Sequence, residues 1–287
     1  MFAGFTQRLN FGLGGGTPSI PSAFPTRPIG QLGNFNTYAI NFISAAGITQ
    51  SDQQSAINQL STDLVNTGLM DKMIAVYPFV GGDATTHSYN LKIPIDSNTA
   101  FRLTFSGGWT HSSTGIKGNG SNTYATTYVN TSIAPFQQTN SHLSCYCRTT
   151  GVPGSTFEVS ADNGTNFNQI AAARNYYSGV VTINTGGVNF TTTTNSAGFW
   201  CGSKTSTSQR FATRNGVLNS VVTTTTDASL GAAFNLTIGA RNNSNSYTSY
   251  TSKEIAFISI GQGLTQEEHA TLYTIVQNFQ TTLGRQV

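Results

Sequence analysis

The sequence predicts a mainly β protein: an antiparallel two-sheet sandwich with a small helical segment before it and one helix after it. Three observations carry that expectation. Charged residues make up 9% of the 287 positions, although the chain has 18 Phe and 11 Tyr; ordinary globular proteins carry roughly 25%. Disordered chains combine low hydrophobicity with high charge, so this composition reads as an ordered protein with a hydroxyl- and amide-rich surface. From residue 88 onward, short runs alternate apolar and polar residues between turn residues, the period of strands with one packed and one wet face. The chain then closes with a strand and a strongly specified helix.

Residues 1–36 read as an extended Gly/Pro-rich arm. Gly14-Gly15-Gly16, Pro18, Pro21, Pro25, Pro28, Gly30 and Gly33 exclude a helix or a central strand. Phe2, Phe5, Phe11 and Phe24 give this arm rings to bury on neighbouring subunits at assembly. The alternative is a long ordered loop packed on its own domain.

Residues 37–87 form a helical segment, with helix expected as far as 79. Tyr38, Phe42 and Ala45 suggest a first short helix ended by Gly47. Thr49 or Ser51 caps a second, with Ser51 and Gln54 as a capping box. Ile57, Leu60, Leu64 and Val65 form its apolar stripe, and Gly68 ends it. Leu69 to Val80 continues as an apolar segment into Gly81-Gly82.

Residues 88–287 form the sandwich. Phe101, Leu103 and Phe105 alternate with Arg102 and Thr104, and Leu143, Cys145 and Cys147 with Ser144, Tyr146 and Arg148. Phe157 and Val159 lead into the turn Asp162-Asn163-Gly164, and Phe167 to Ala173 returns. Val180, Val181, Ile183, Phe199, Trp200 and Cys201 continue the pattern. Asn215-Gly216 supplies the positive φ angles of a two-residue hairpin. A strand from Phe234 to Ala240 runs into a polar loop at 241–253. Glu254 to Ile260 is apolar on both faces, with Ile255 and Phe257 on one and Ala256, Ile258 and Ile260 on the other, so both sides must be covered. Thr265 and Glu268 form a capping box on the last helix, and Glu267 adds charge near its N-terminus. Ala270, Leu272, Tyr273, Ile275, Val276, Phe279 and Leu283 make its stripe, with Gly284 at the C-cap.

The succession of a strand, an Asn-Gly turn, a strand ending Ile238-Gly239-Ala240-Arg241, a strand ending Ile260-Gly261, and a helix opening Leu264-Thr265-Gln266-Glu267-Glu268 resembles the laminin-G/concanavalin A-like sandwiches. It is most similar to those of tailed-bacteriophage virion proteins. Phe211 to Gly216 matches the closing hairpin of such domains, and Gly118 to Thr127 their Asn/Asp-Gly-x-x-x-Tyr motif; the likeness runs from Thr99 to Arg285. The helical preface, with its Tyr77-Pro78-Phe79-Val80-Gly81-Gly82 run, also looks like theirs. The resemblance implies a concanavalin A-like fold and a virion structural protein, assembled in the host cytoplasm, with other virion proteins and copies of itself as partners. It does not separate lectins, glucanases and structural modules, which share the fold.

Net charge is +3 and the 14 Lys and Arg are scattered, against the concentrated footprint that nucleic-acid binding requires. No apolar run reaches the roughly 20 residues of a membrane helix, and the first residues lack a signal-peptide core. Three cysteines without a secretion signal argue against a disulfide framework. They read as small buried hydrophobes, since no fourth ligand completes a zinc set. Asp162-Asn163-Gly164 lacks the bidentate Glu of a calcium loop, so no metal or cofactor is expected. The paired carboxylates of a glycosidase are missing, and the four histidines stand apart from any triad pattern; no catalysis is expected. Glycan binding is the alternative. It would use Trp109, His111, Asn119 and Tyr124 from loop 107–124, with Arg241, Asn243, Tyr247 and Tyr250 from loop 241–253, provided the loops meet. Solvated loops or a subunit contact would use the same residue types.

Overall fold

The computed structural model describes residues 34–132, 134–137, 139–151, 154–174, 178–183, 186–191, 195–207, 209–223 and 234–287. Phe2, Phe5, Phe11 and Phe24 of the expected arm lie outside the described residues. The helical preface consists of α1 (Thr37–Ala46), α2 (Ser51–Asn66) and the single turn α3 (Leu69–Lys72), followed by strand β1 (Met73–Tyr77) and helix α4 (Ala84–Ser88). Next come β2 (Thr104–Ser106), β3 (Thr110–Ser112), β4 (Gly115–Lys117), β5 (Tyr124–Asn130) and β6 (Ser141–Cys147). Then follow β7 (Val159–Asp162), β8 (Phe167–Arg174), β9 (Ser178–Ile183), β10 (Gly186–Thr191), β11 (Gly198–Ser206), β12 (Gln209–Arg214) and β13 (Val217–Val222). The chain ends with β14 (Asn235–Ile238), β15 (Arg241–Asn243), β16 (Ser246–Thr248), β17 (Glu254–Gly261) and α5 (Gln266–Thr282).

The strands form two sheets. The first runs β13-β12-β11-β6-β17-β4-β3, with β1 also on β17; the second runs β10-β9-β8-β7-β14-β5-β2, with the β15–β16 hairpin on β7. Leu143, Cys145, Cys147, Trp200, Ile258 and Ile260 of the first sheet pack on Val159, Ala161, Ile170, Leu236 and Ile238 of the second. The other face of the first sheet, through Tyr146, Phe199 and Phe257, meets Phe42, Ile57, Leu60 and Leu64 of α1 and α2 and Leu272, Val276 and Phe279 of α5. The predicted sandwich with its closing helix is therefore a three-layer arrangement, helices on one sheet and that sheet on another.

Local chemistry accounts for the element ends. Thr265 accepts from Glu268 N while Glu268 reaches back to Thr265 N, closing the predicted capping box. Gly284, at φ 64°, follows the C-cap Leu283 of α5 and lets the chain turn back. Asn215 and Gly216 have φ of 51° and 72°, the conformation whose twist matches a two-residue hairpin.

Five local expectations are corrected. Helix does not run on to 79: Met73–Tyr77 is a strand, antiparallel to β17 and buried at every position. It occupies the part of the β17 edge that β4, paired at Glu254 and Ile255, leaves open. The Ser51–Gln54 box does not form. Gln50 is the N-cap without a side-chain bond, and Gln54 donates to Ile48 O instead. Val65 and Ala270 point outward, and Ser61 and His269 take the buried positions of their helices. The polar loop after β14 is in part the β15–β16 hairpin.

The fifth correction concerns β17. Ile255 pairs with Cys147 and Phe257 with Tyr146, so Ala256 is an extra residue in the ladder. Such a bulge slips the alternation by one. Ile255, Ile258 and Ile260 therefore face the second sheet, and Ala256 and Phe257 face the helices.

Candidate functional site

The two loops proposed for ligand binding do meet. Gly120 N donates to Thr251 O, and Thr251 N to Gly239 O, so the loop before β5 is bonded to the segment between β16 and β17 and through it to the end of β14. Gly239, at φ 88°, supports the indole of Trp109. A Cβ at that position would come 2.5 Å from the ring. The indole N–H donates to Tyr124 O at 3.2 Å. Tyr124 stacks on Tyr247 with 3.9 Å between centroids and 10° between planes, and Tyr250 donates its hydroxyl to Tyr247 O.

The other predicted residues are engaged nearby or elsewhere. Asn119 folds its own turn, its Oδ1 accepting from Ser121 N and Asn122 N. Arg241 makes a bidentate pair with the fully buried Asp162, both distances 2.9 Å. Asn243 stands opposite Asp162 in the β15–β7 register. His111 reaches α4, with Nδ1 3.0 Å from Nδ1 of His87, and Phe105 lies edge-on to both its ring and that of Trp109. Trp109, Tyr124, Tyr247 and Tyr250 are thus brought together. Arg241 and His111 are instead held by Asp162 and His87.

This patch is a stacked aromatic pair with an amide- and hydroxyl-rich rim. Its rings already cover one another, and its strongest donors already have acceptors. Burial raises the Tyr247 phenol above the usual tyrosine range, with the Tyr124 hydroxyl adding to the effect.

Several described carboxylates elsewhere are spent in the same way. Glu158 and Lys253, both fully buried, pair at 2.9 Å; Glu158 also accepts from Thr251 Oγ1 and Ala172 N, and Lys253 donates to Ala172 O. This ties the residue that precedes β17 of one sheet to the residue that precedes β7 and to β8 of the other. Glu254 pairs with Arg148 at 2.9 Å and accepts from Thr114. Glu268 pairs with Lys72 at 2.6 Å, and Asp83 caps α4. Nothing in the local pattern marks Glu158 and Lys253 as partners, because they stand 95 residues apart in the chain.

Two further histidines lie between the first sheet and α5. His142 contacts Gln262 O and Ser259 Oγ, and His269 contacts Ser203 Oγ, Thr213 Oγ1 and Cys201 Sγ. Burial pushes them down to about 4 and about 3, respectively. Cys145, Cys147 and Cys201 are free and buried, and burial pushes the Cys147 thiol up to about 12, which keeps it unreactive as a thiolate. Among the described residues no three His, Cys, Asp or Glu are grouped to hold a metal ion.

No protein-family model and no curated protein matches the chain. Solved structures with some likeness include domain 4 of AbnA, a GH43 extracellular arabinanase from Geobacillus stearothermophilus, in complex with arabinotriose. It is 14% identical, with a TM-score of 0.48, covering 70% of this chain and 98% of that one. A second is the binding domain of botulinum neurotoxin DC in complex with rat synaptotagmin II, 13% identical, TM-score 0.48, covering 72% and 52%. A third is a structure of botulinum neurotoxin type C, whose cell entry depends on two ganglioside molecules, 12% identical, TM-score 0.49, covering 74% and 53%. This chain thus spans about half the length of the two neurotoxin chains. Likenesses this distant say nothing of what this chain binds, and its architecture rests on its own two sheets and their shared core.

Proposed function

We propose that this chain is a non-enzymatic structural component of a bacteriophage particle, serving in capsid decoration, collar, tail or fibre. In this reading the segment 1–36 joins it to other virion proteins and to copies of itself, after assembly in the host cytoplasm. The observation that carries the non-enzymatic part is the commitment of reactive and recognition groups to internal contacts: Asp162 to Arg241, Glu158 to Lys253, Glu254 to Arg148 and Tyr124 to Tyr247. A low-charge sandwich pinned in this way suits a load-bearing module. The virion part rests on the resemblance of Thr99 to Arg285. Its test is particle assembly with a chain lacking residues 1–36. A soluble, folded protein that no longer incorporates is expected, and unchanged incorporation overturns the role given to that segment.

A second reading, a glycan-binding module of the same particle, is favoured by the convergence of loops 107–124 and 241–253 on the Tyr124–Tyr247 pair. A glycan array probed with the full chain separates the two. Binding that Tyr247→Ala abolishes supports the second reading, and an array without signal supports the first.

A further inference from the structure

Gly81 and Gly82, both at positive φ, carry the chain from β1 into α4. Gly82 N donates to Nε2 of His87 at 3.2 Å. A backbone N–H can only donate, so Nε2 holds a lone pair and the proton of a neutral His87 ring sits on Nδ1. That proton points at Nδ1 of His111, 3.0 Å away, which therefore accepts, leaving the His111 proton on Nε2. The chain Gly82 to His87 to His111 has room for a single hydrogen between the two rings. Protonating His111 at Nδ1 sets two hydrogens against each other. Moving the His87 proton to Nε2 merely transfers the collision to Gly82.

The same tautomer rule argues against a metal ion between the rings. A neutral His87 bound through Nδ1 would carry its proton on Nε2, facing the Gly82 N–H.

We propose that the His87–His111 pair is an acid-sensitive latch. Uptake of one proton by His111 breaks the chain and releases α4 and the glycine turn before it from β3. His111 is the partly exposed member and receives the proton, whereas His87 is 1% exposed. The charged groups facing the pair are Asp83 at the α4 N-cap, which favours a charged His111, and the buried guanidinium of Arg285, which disfavours a charged His87. Two apolar rings pack on the pair, Phe79 edge-on to His87 and Phe105 edge-on to His111. Burial holds both imidazoles below the usual histidine range, with repulsion from His111 adding to the effect on His87, consistent with a closed state that admits only neutral rings.

Hydrogen exchange of the full chain between about pH 7 and about pH 5, corrected for intrinsic rates, tests the latch. Amides of 82–88 and 110–112 are expected to lose about tenfold in protection through local opening, separately from the fall that β6 and β17 share with global stability. In His111→Gln, whose amide oxygen accepts from His87 without titrating, protection of 82–88 should persist at the lower pH. The same response in that variant, or loss only together with β6 and β17, overturns the proposal. Should the variant not fold, nitrogen-detected NMR of the wild-type rings decides: Nδ1–H on His87 with Nε2–H on His111 at neutral pH supports the latch, and any other tautomer pair refutes it.

Discussion

Tyr124 of β5 and Tyr247 of β16 lie ring on ring, 3.9 Å between centroids, and so tie the β15–β16 hairpin to the body of the second sheet. Offset aromatic pairs contribute about 0.5–1.5 kcal/mol beyond the area they bury. Tyr247→Ala should therefore cost about 1–3 kcal/mol in urea unfolding. Tyr247→Phe keeps the stack and should cost about 1 kcal/mol or less. Equal losses in the two variants would mean that the hydroxyl, not the ring, holds the hairpin.

The Glu158–Lys253 pair offers a sharper test. Glu158→Ala strands a buried ammonium, for which a loss of about 3–5 kcal/mol is expected. Glu158→Leu combined with Lys253→Met removes both charges, and most of that loss should be regained. A double variant no more stable than the single one would show that the hydrogen bonds to Thr251 and Ala172 matter more than the charges.

Acid should unfold the chain through its buried histidines. His87, His142 and His269 sit at about 3, 4 and 3 in the fold, below the ordinary value near 6.5. Between those limits the unfolded chain binds more protons, so stability rises with pH. It is complete above about pH 6.5 and falls by about 1.4 kcal/mol per pH unit for each histidine as pH drops toward 4. Urea midpoints measured across this range should follow that slope, and His269→Gln should make it shallower by one proton. A flat profile from pH 7 to pH 5 would contradict the burial of these rings.

Gly239→Ala combines a positive φ with a Cβ 2.5 Å from the Trp109 ring. A loss above about 1 kcal/mol is expected, with a red shift in tryptophan emission as the indole is pushed outward. The other tryptophan, Trp200, is fully buried and supplies a constant background. An unshifted spectrum would mean that the indole yields without leaving its place.

Much of the fold was legible from local pattern. The capping box at Thr265, the left-handed Gly47, Gly68 and Gly284, and the Asn215-Gly216 hairpin each depend on residues within one turn of each other, and short-range chemistry is written in consecutive letters. The strand at Met73–Tyr77 was not legible that way. Five buried apolar residues suit a helix or a strand equally well, and the open edge of β17 settled the matter.

The candidate patch divides along the same line. Aromatic and amide-rich loops could be read from composition alone, as could the small, apolar role of the three cysteines. That Tyr124 would find Tyr247, that Asp162 would hold Arg241, and that His111 would turn to His87 could not. Each pairing joins separate elements, and its geometry exists only after those elements have come side by side. The Ala256 bulge has the same origin: one unpaired residue, set by the match between β17 and β6, reverses which side chains reach which layer. Residue order thus specified the pieces and where they end, and the pairing and packing of those pieces chose the partners, because contact between distant segments is a property of the assembled fold.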